Sequence, residues 1–474
     1  MTFRGKAVLL ATVASLAFSG QAWSGAGDDC CDDIEDLQRQ ILLLQSQLDE
    51  LKNKQADADH KVVWKGAPRI EADGNKFKVR GRIFVDAVVQ DGNASPLVSP
   101  EPFTSGTEFR AARLGVEGQI AKSTSYKFEV DFADNEVELK DAFIEQEIFG
   151  PGGFVQIGQF KTPNSIDELT SSRFDTFMEQ SGLTGGFGLG RLIGLAVGWS
   201  GEQWSVKVGG FGDDADSGAP DTGAGIFEEQ WVAAGRVTFA PVLVTEGTPM
   251  VIHVGGSIRY RTFEDTGEPG TSMIAYSANP GLHLSESFLG ADFSDTATIG
   301  VDGIDSDLFY GVEFAGVYGP LHIMGEYAWL DPDIIVTPGF FYDDPKFHGF
   351  YVEAGVFLTG ESRPYDGSVG EFGRVAVKKP VNDGGIGAWQ IAMRYDQLDF
   401  DATDTDGDTD IDFGGKQKRV TAGVNWLLND YTRFMINYVR ADIADSPDAA
   451  ALTGIATSDD VKLDQFGVRG QIDW

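Results

Sequence analysis

Arginine recurs at alternate positions through this sequence. Arg80, Arg82, Arg113, Arg236, Arg259, Arg261, Arg394, Arg419 and Arg433 fall on the polar side of segments in which apolar and polar residues alternate, and Lys78 shares that side. A guanidinium is planar, stays charged, and binds carboxylate or phosphate through two parallel hydrogen bonds. The same side carries Glu117, Glu129, Asp131, Asp141, Glu145 and Glu147. These acids crowd the second to fourth alternating segments, whereas the bases dominate the first and the later ones. Facing walls of opposite sign would set a transverse field across a narrow passage. Such a set binds and passes ions; it transfers no group. The histidines, His60, His253, His283, His322 and His348, are scattered and form no HExxH. Neither GxSxG nor a P-loop occurs. The expectation is a non-enzyme with no cofactor and no metal.

The elements that must position these charges have a period of two, which is the period of a strand. Val79, Gly81, Ile83 and Val85 alternate with Lys78, Arg80, Arg82 and Asp86. Phe128, Val130 and Phe132 alternate with Lys127, Glu129 and Asp131; Ile391, Met393 and Tyr395 alternate with Gln390, Arg394 and Asp396. A soluble sandwich hides its apolar face, whereas a membrane barrel turns that face to lipid and keeps the polar one on water. Three signs favour the barrel. Aromatics sit near segment ends, as membrane interfaces require. Tight links at 121–125, 150–153, 201–203 and 428–430 trade off with long acidic ones. The last segment, Phe466, Val468, Gly470, Ile472 and Trp474, alternates up to a terminal aromatic. The segments begin near Phe77, Thr107, Ser125, Glu138, Phe154, Arg191, Trp204, Glu228, Val251, Ser306, Leu321, Lys346, Ala388, Gln417, Tyr431 and Val461. They number about sixteen, even as closure requires. One long link, 359–387, falls on the side where links should be short.

The N-terminal part reads differently. Arg4 and Lys6 precede an apolar run, Ala7 to Phe18, and then small residues with Ala22 and Ala26 as rival cleavage points. The run falls short of the roughly 20 residues of a membrane helix, so residues 1–26 read as a secretory signal. Ile34, Leu37, Ile41, Leu44, Leu48 and Leu51 are spaced 3, 4, 3, 4, 3. This a/d seam predicts a coiled-coil helix within 27–65. The barrel is expected over 66–474. Cys30 and Cys31 are adjacent and offer no disulfide framework. The stretch DATDTDGDTDID at 401–412 resembles a calcium loop only in composition and lacks the terminal glutamate. A net charge of −36 argues against nucleic acid. The fold expected is all-β: a sixteen-stranded antiparallel transmembrane β-barrel with a short N-terminal periplasmic coiled-coil helix.

Five stretches carry a family resemblance: FRAARLGVEG at 109–118, GQFKTPNSIDELTSSRFDTFMEQS at 158–181, FLTGESRPYDG at 357–367, GAWQIAMRYDQLD at 387–399 and GVNWLLNDYTRFMINYV at 423–439. They resemble the phosphate-selective porins of the O and P type, in order and spacing across nearly the whole chain. The resemblance implies a trimer of sixteen-stranded barrels in the bacterial outer membrane. It also implies a third extracellular loop folded into the pore, and that the 359–387 link enters it too. A helix is expected over 165–180, where Ser165 and Glu168 read as a capping box. Its charges include the constriction residues Asp167, Glu168, Arg173 and Asp175. Phosphate-specific members carry lysines here; Glu168 stands at one such position, and Arg173 keeps a base at the other. The function expected is a passive, water-filled outer-membrane porin for small inorganic or organic anions, phosphate and related oxyanions among them. Its partners would be outer-membrane lipid and lipopolysaccharide. The alternatives are a weakly selective general diffusion porin and, in another class, an envelope tether acting through the coiled coil.

Overall fold

A strand whose residues alternate in polarity has two unlike faces, and the computed structural model shows where each face points. It describes residues 39–49, 61–92, 105–215, 230–263, 275–293, 301–336, 343–400, 414–444 and 460–474. Cys30, Cys31, residues 1–26, the 401–412 stretch and the outer heptad positions Ile34, Leu37 and Leu51 lie outside those residues. The chain divides into two units, Met1–His60 and Lys61–Trp474. In the first, residues 39–49 form a helix on which Ile41, Leu44 and Leu48 are exposed.

The second unit is built on a sheet of 18 strands. Two of these, Lys61–Lys65 and Ala67–Ala72, form a hairpin at its start, so the end of the expected linker is itself a strand. The other sixteen form the barrel. They are β1 (Asn75–Gly92), β2 (Gly106–Ile120), β3 (Thr124–Asp131), β4 (Glu138–Glu147), β5 (Gly153–Lys161), β6 (Arg191–Ser200), β7 (Trp204–Phe211) and β8 (Gln230–Val244). There follow β9 (Met250–Phe263), β10 (Val301–Tyr318), β11 (Leu321–Val336), β12 (Phe347–Phe357), β13 (Ala388–Asp399), β14 (Lys416–Asn429), β15 (Thr432–Ala444) and β16 (Val461–Asp473). Each pairs antiparallel with the next. The sheet closes where β16 pairs with β1, from Leu463 opposite Gly92 to Asp473 opposite Arg82. Closure matters because an open edge would leave unpaired amides in hydrocarbon.

The faces are inverted relative to a soluble protein. On β1, Ile83, Val85 and Val89 are exposed on the outside, whereas Arg80, Arg82, Asp86 and Gln90 are buried within. Aromatics gather at two levels on the outside. Near the short-turn end, Trp389 and Trp426 stack at 5.2 Å and both indoles donate to the Ile386 carbonyl. Farther along the strands, Tyr310 stacks on Trp329 at 5.1 Å. The strands begin within two residues of the expected positions, except β10. It starts at Val301 instead of Ser306, because irregular register at Val301, Ile304 and Ser306 breaks the alternation there.

Backbone closure is tight where Gly81 and Trp474 exchange hydrogen bonds of 3.0 and 3.3 Å. A Cβ on Gly81 would lie 2.3 Å from the Trp474 ring and 2.9 Å from the Arg113 carbonyl. Gly81→Val is therefore expected to lower stability by about 1–3 kcal/mol. The check is the temperature at which the folded band is lost on a gel; an unchanged temperature would mean that the strand end gives way freely.

Candidate pore and constriction

The link between β5 and β6, residues 162–190, folds into the lumen. Ser165 caps a helical turn, Ile166–Leu169, by accepting from the Glu168 amide at 2.9 Å. A second helical stretch, Gly182–Phe187, is capped by Ser181. Asp167 ties the two together: its Oδ2 accepts from the Ser181 amide at 2.9 Å and the Thr184 hydroxyl at 2.7 Å. Its own amide donates to Glu326 across the lumen.

The helix expected over 165–180 thus stops at Leu169, and the reason is visible in the carbonyls that follow. From Ser172 to Gln180, every carbonyl but that of Phe177 accepts from a side chain outside the loop. Arg433 donates to Ser172 and Asp175, Gln471 to Arg173, Arg363 to Phe174 and Asn425 to Thr176. Arg469 donates to Met178, Arg394 to Glu179 and Gln180, and Arg419 to Gln180. A carbonyl that meets a guanidinium has its partner without an amide four residues on. The wall replaces the helix.

The long link at 358–387 also enters the lumen, as expected. Arg236 on β8 donates to the carbonyls of Val369 and Gly370 at 3.2 and 2.8 Å and pairs with Glu313 at 2.7 Å. His253 bridges Glu313 at 3.0 Å and the Tyr365 hydroxyl at 2.5 Å. The link reaches the constriction loop where the Phe372 amide meets Thr170 Oγ1.

A third insertion, the hairpin of Ala275–Ala278 and Leu289–Asp292, meets lumen residues where the Leu282 amide donates to Gln465 and Ser285 to Gln90. The insertions are held mainly from β8 to β16, with Arg82 on β1 and Arg110 on β2 also reaching the constriction loop, and the lumen stays open along β1 to β7. There lies a chamber of about 390 Å³. Its bases are Arg80, Arg82, Arg110, Arg113, Lys127, Lys161, Arg173, Arg191, Lys207 and Arg469; its acids are Asp141, Glu168, Asp175, Glu179 and Glu371. A second cavity of about 570 Å³ adjoins it toward the short turns and takes in Glu145, Glu147 and Arg236.

Of the arginines singled out from sequence, Arg80, Arg82, Arg113 and Arg173 line the chamber together, and Arg433 borders a small side cavity with Arg173. Arg394 and Arg419 are buried against the loop and share Asp396, at 3.5 and 2.9 Å. Arg259 is buried and donates to the Phe187 carbonyl at 2.6 Å, and Arg261 is bound to Asp307. Arg259, Arg394 and Arg419 fasten the loop between β5 and β6, whereas Arg261 joins Asp307 on β10. Among the constriction residues, Glu168, Arg173 and Asp175 line the chamber, whereas Asp167 is buried inside the loop.

The expected field between facing walls of opposite sign is not what forms. The acids lie beside the bases. Glu129 sits between Arg80, Arg82 and Arg113, at 2.9, 3.2 and 3.5 Å. Asp141 joins Lys127 at 2.6 Å and Arg191 at 3.0 Å. Arg173 has no ion pair among the described residues; its Nε donates to the Ser171 hydroxyl at 3.2 Å. Burial, with Arg80 nearby, lowers its pKa to about 10, so it remains charged at neutral pH. Burial would raise the Glu179 carboxyl, but Arg110 and Arg469 hold it down at about 2.

Five chamber bases, Arg110, Lys161, Arg191, Lys207 and Arg469, were not named from the sequence, and a sixth, Lys127, was placed on the polar side of its strand without being counted among the path's bases. Arg110 was hidden by a bulge: the register between β1 and β2 shifts at Phe84/Val85, which flips the facing of the residues before Ala111. Arg469 and Lys127 were legible, each alternating with outward apolar residues. Lys161 and Arg191 flank the inserted loop, where strand parity no longer guides. Lys207 was open to the same parity argument on β7.

Residues 77–458 match the family described as phosphate-selective porin O and P. An uncharacterized protein of Caulobacter vibrioides is 33% identical over 388 residues, covering 81% of this chain and 72% of that one. Porin O of Pseudomonas aeruginosa is 25% identical over 405 residues, 81% of this chain and 87% of that one. Among solved structures, the anion-selective porin from Comamonas acidovorans aligns with 84% of this chain and 100% of its own, at 12% identity and a TM-score of 0.46. Salmonella typhi OmpF in complex with daunomycin aligns with 86% and 100%, at 14% identity and a TM-score of 0.49. With a closed sixteen-stranded barrel, insertions into its lumen and a match over most of its length, the chain belongs to the phosphate-selective porin O and P family and is a channel of the bacterial outer membrane.

Proposed function

We propose that this porin passes small anions in preference to cations, with phosphate and related oxyanions among its solutes. The observation that carries the reading is the chamber, where ten bases stand against five acids and Arg173 is left without an acid partner. Selectivity follows the charges that line the narrowest part of a path. Glu168 is the residue that speaks for weak phosphate preference. Its negative charge is offset by Lys161, whose Nζ lies 3.9 Å from the carboxylate and donates to the Glu168 carbonyl. The path is assigned to Arg80, Arg82, Arg113 and Arg173. Arg236, Arg259, Arg261, Arg394, Arg419 and Arg433 act behind them by holding the insertions.

The remaining parts fit this reading. Residues 1–26 act as an export signal, 27–65 as a periplasmic coil and its connection, and the barrel assembles as a homotrimer. Outer acidic loops meet lipopolysaccharide through divalent cations. Nothing is turned over chemically.

The test is the reversal potential in planar bilayers under a KCl gradient, followed by added phosphate. A chloride-favouring potential with phosphate block supports the reading. A near-zero or cation-favouring potential without block leaves a general diffusion porin, the alternative that Glu168 supports. Arg173→Glu is expected to shift the permeability ratio several-fold toward cations, because it puts an acid in place of a chamber base that has no acid partner among the described residues. Deleting residues 28–60 should leave conductance intact; its loss would favour the coil as the working part.

A further inference from the structure

We propose that the chamber favours an organic anion with a flat apolar body, of the aromatic carboxylate class, over a small inorganic anion. This rests on the reading of the channel as anion-conducting and deepens it.

The chamber and the cavity below share Gln156, Lys207 and Glu371 and, as their apolar part, Phe143 and Leu169. Both side chains are half-buried, so each presents apolar surface to the path. Other rings of the chamber are covered by cations. Arg469 lies over Phe84 at 5.2 Å, Lys207 over Phe160 at 4.4 Å and Arg363 over Phe372 at 3.9 Å. Phe174 carries Arg173 at 5.0 Å. Phe143 differs: it touches Phe160 edge-on at 6.0 Å and has no cation over its face among the described residues. The lower cavity continues the apolar strip through Phe154. Arg80, Arg82 and Arg113 on β1 and β2 line the same chamber.

Porin lumens are polar, because water fills them. An apolar strip along such a path is unfavourable until something apolar covers it. A hydrated inorganic anion gains nothing from it. An aromatic carboxylate gains twice, with its head on the arginines and its ring on Phe143 and Leu169. The bland account is that Phe143 only packs against Phe160.

Acetate and benzoate share a head group and differ in the ring, so their block of chloride current separates the two accounts. In the unaltered porin, benzoate should half-block at a concentration about five- to tenfold below acetate. Phe143→Ser and, separately, Leu169→Ser should each move that ratio toward one and leave phosphate block unchanged. Leu169 lies on the inserted loop, so its variant tests the idea even where the strand variant fails to fold. Equal block by the two carboxylates, or a ratio that survives both substitutions, overturns the proposal while leaving the anion channel standing. A cation-carried current would overturn the anion reading and this inference with it.

Discussion

Arg469→Ala should loosen the constriction and destabilise the barrel together. Arg469 is buried and meets Asp86 through two hydrogen bonds, at 2.7 and 2.6 Å. It also reaches Glu179 at 2.8 Å and the Met178 carbonyl at 2.5 Å. Glu179 keeps Arg110, but Asp86 has no second base paired to it among the described residues. Removing one partner of a buried pair strands the other, at a cost of about 3–5 kcal/mol. The expected results are a lower unfolding temperature in detergent and a larger, noisier single-channel conductance as the loop comes away from the wall. Arg469→Lys should fall between the two, since it keeps the charge and loses the forked geometry. Unchanged conductance with unchanged stability would mean that the loop holds without this anchor.

The second large effect concerns proton concentration. Asp175 sits on the inserted loop and lines the chamber. Burial pushes its carboxyl up to about 7, Asp167 adds to the rise, and Lys161, Arg433 and Arg363 oppose it. A carboxyl with a raised pKa is neutral below that value, so the chamber gains positive character as the solution is acidified. Anion preference should increase between about pH 8 and about pH 6, and Asp175→Asn should hold the acidic-side value throughout. Stability moves the same way. The folded chain keeps a proton that the unfolded one releases, so stability falls as pH rises from the ordinary carboxylate range through about 7. A reversal potential that still shifts in Asp175→Asn would place the titrating group elsewhere.

Much of this was legible in the sequence, for a physical reason. A strand facing lipid on one side and water on the other must alternate, and alternation survives in single-residue detail. The arginines of β1, with their outward partners Ile83 and Val85, could be read directly. What could not be read were the places where parity breaks. The bulge before Ala111 concealed Arg110. The irregular start of β10 concealed Val301 to Ile304. The loop between β5 and β6 followed its helical cap for one turn only, because its later carbonyls found partners more than 200 residues away on β13 to β16. Local pattern predicts local bonds, and those bonds were not local. The roles of Arg394, Arg419 and Arg433 turned on the same point: sequence placed them in the lumen and could not say that the loop would occupy their donors.

The insertions fill one flank of the barrel and leave the path along the strands β1 to β7, and this lopsidedness bears on how such a channel can change over generations. Residues beneath the filled flank hold the scaffold, and loss of one of them costs stability. Residues such as Phe143, Lys127 and Lys207 border open water, where a replacement alters what passes and spares the architecture. Inheritance can therefore retune the diet of the cell at the open flank while the packed flank stays fixed.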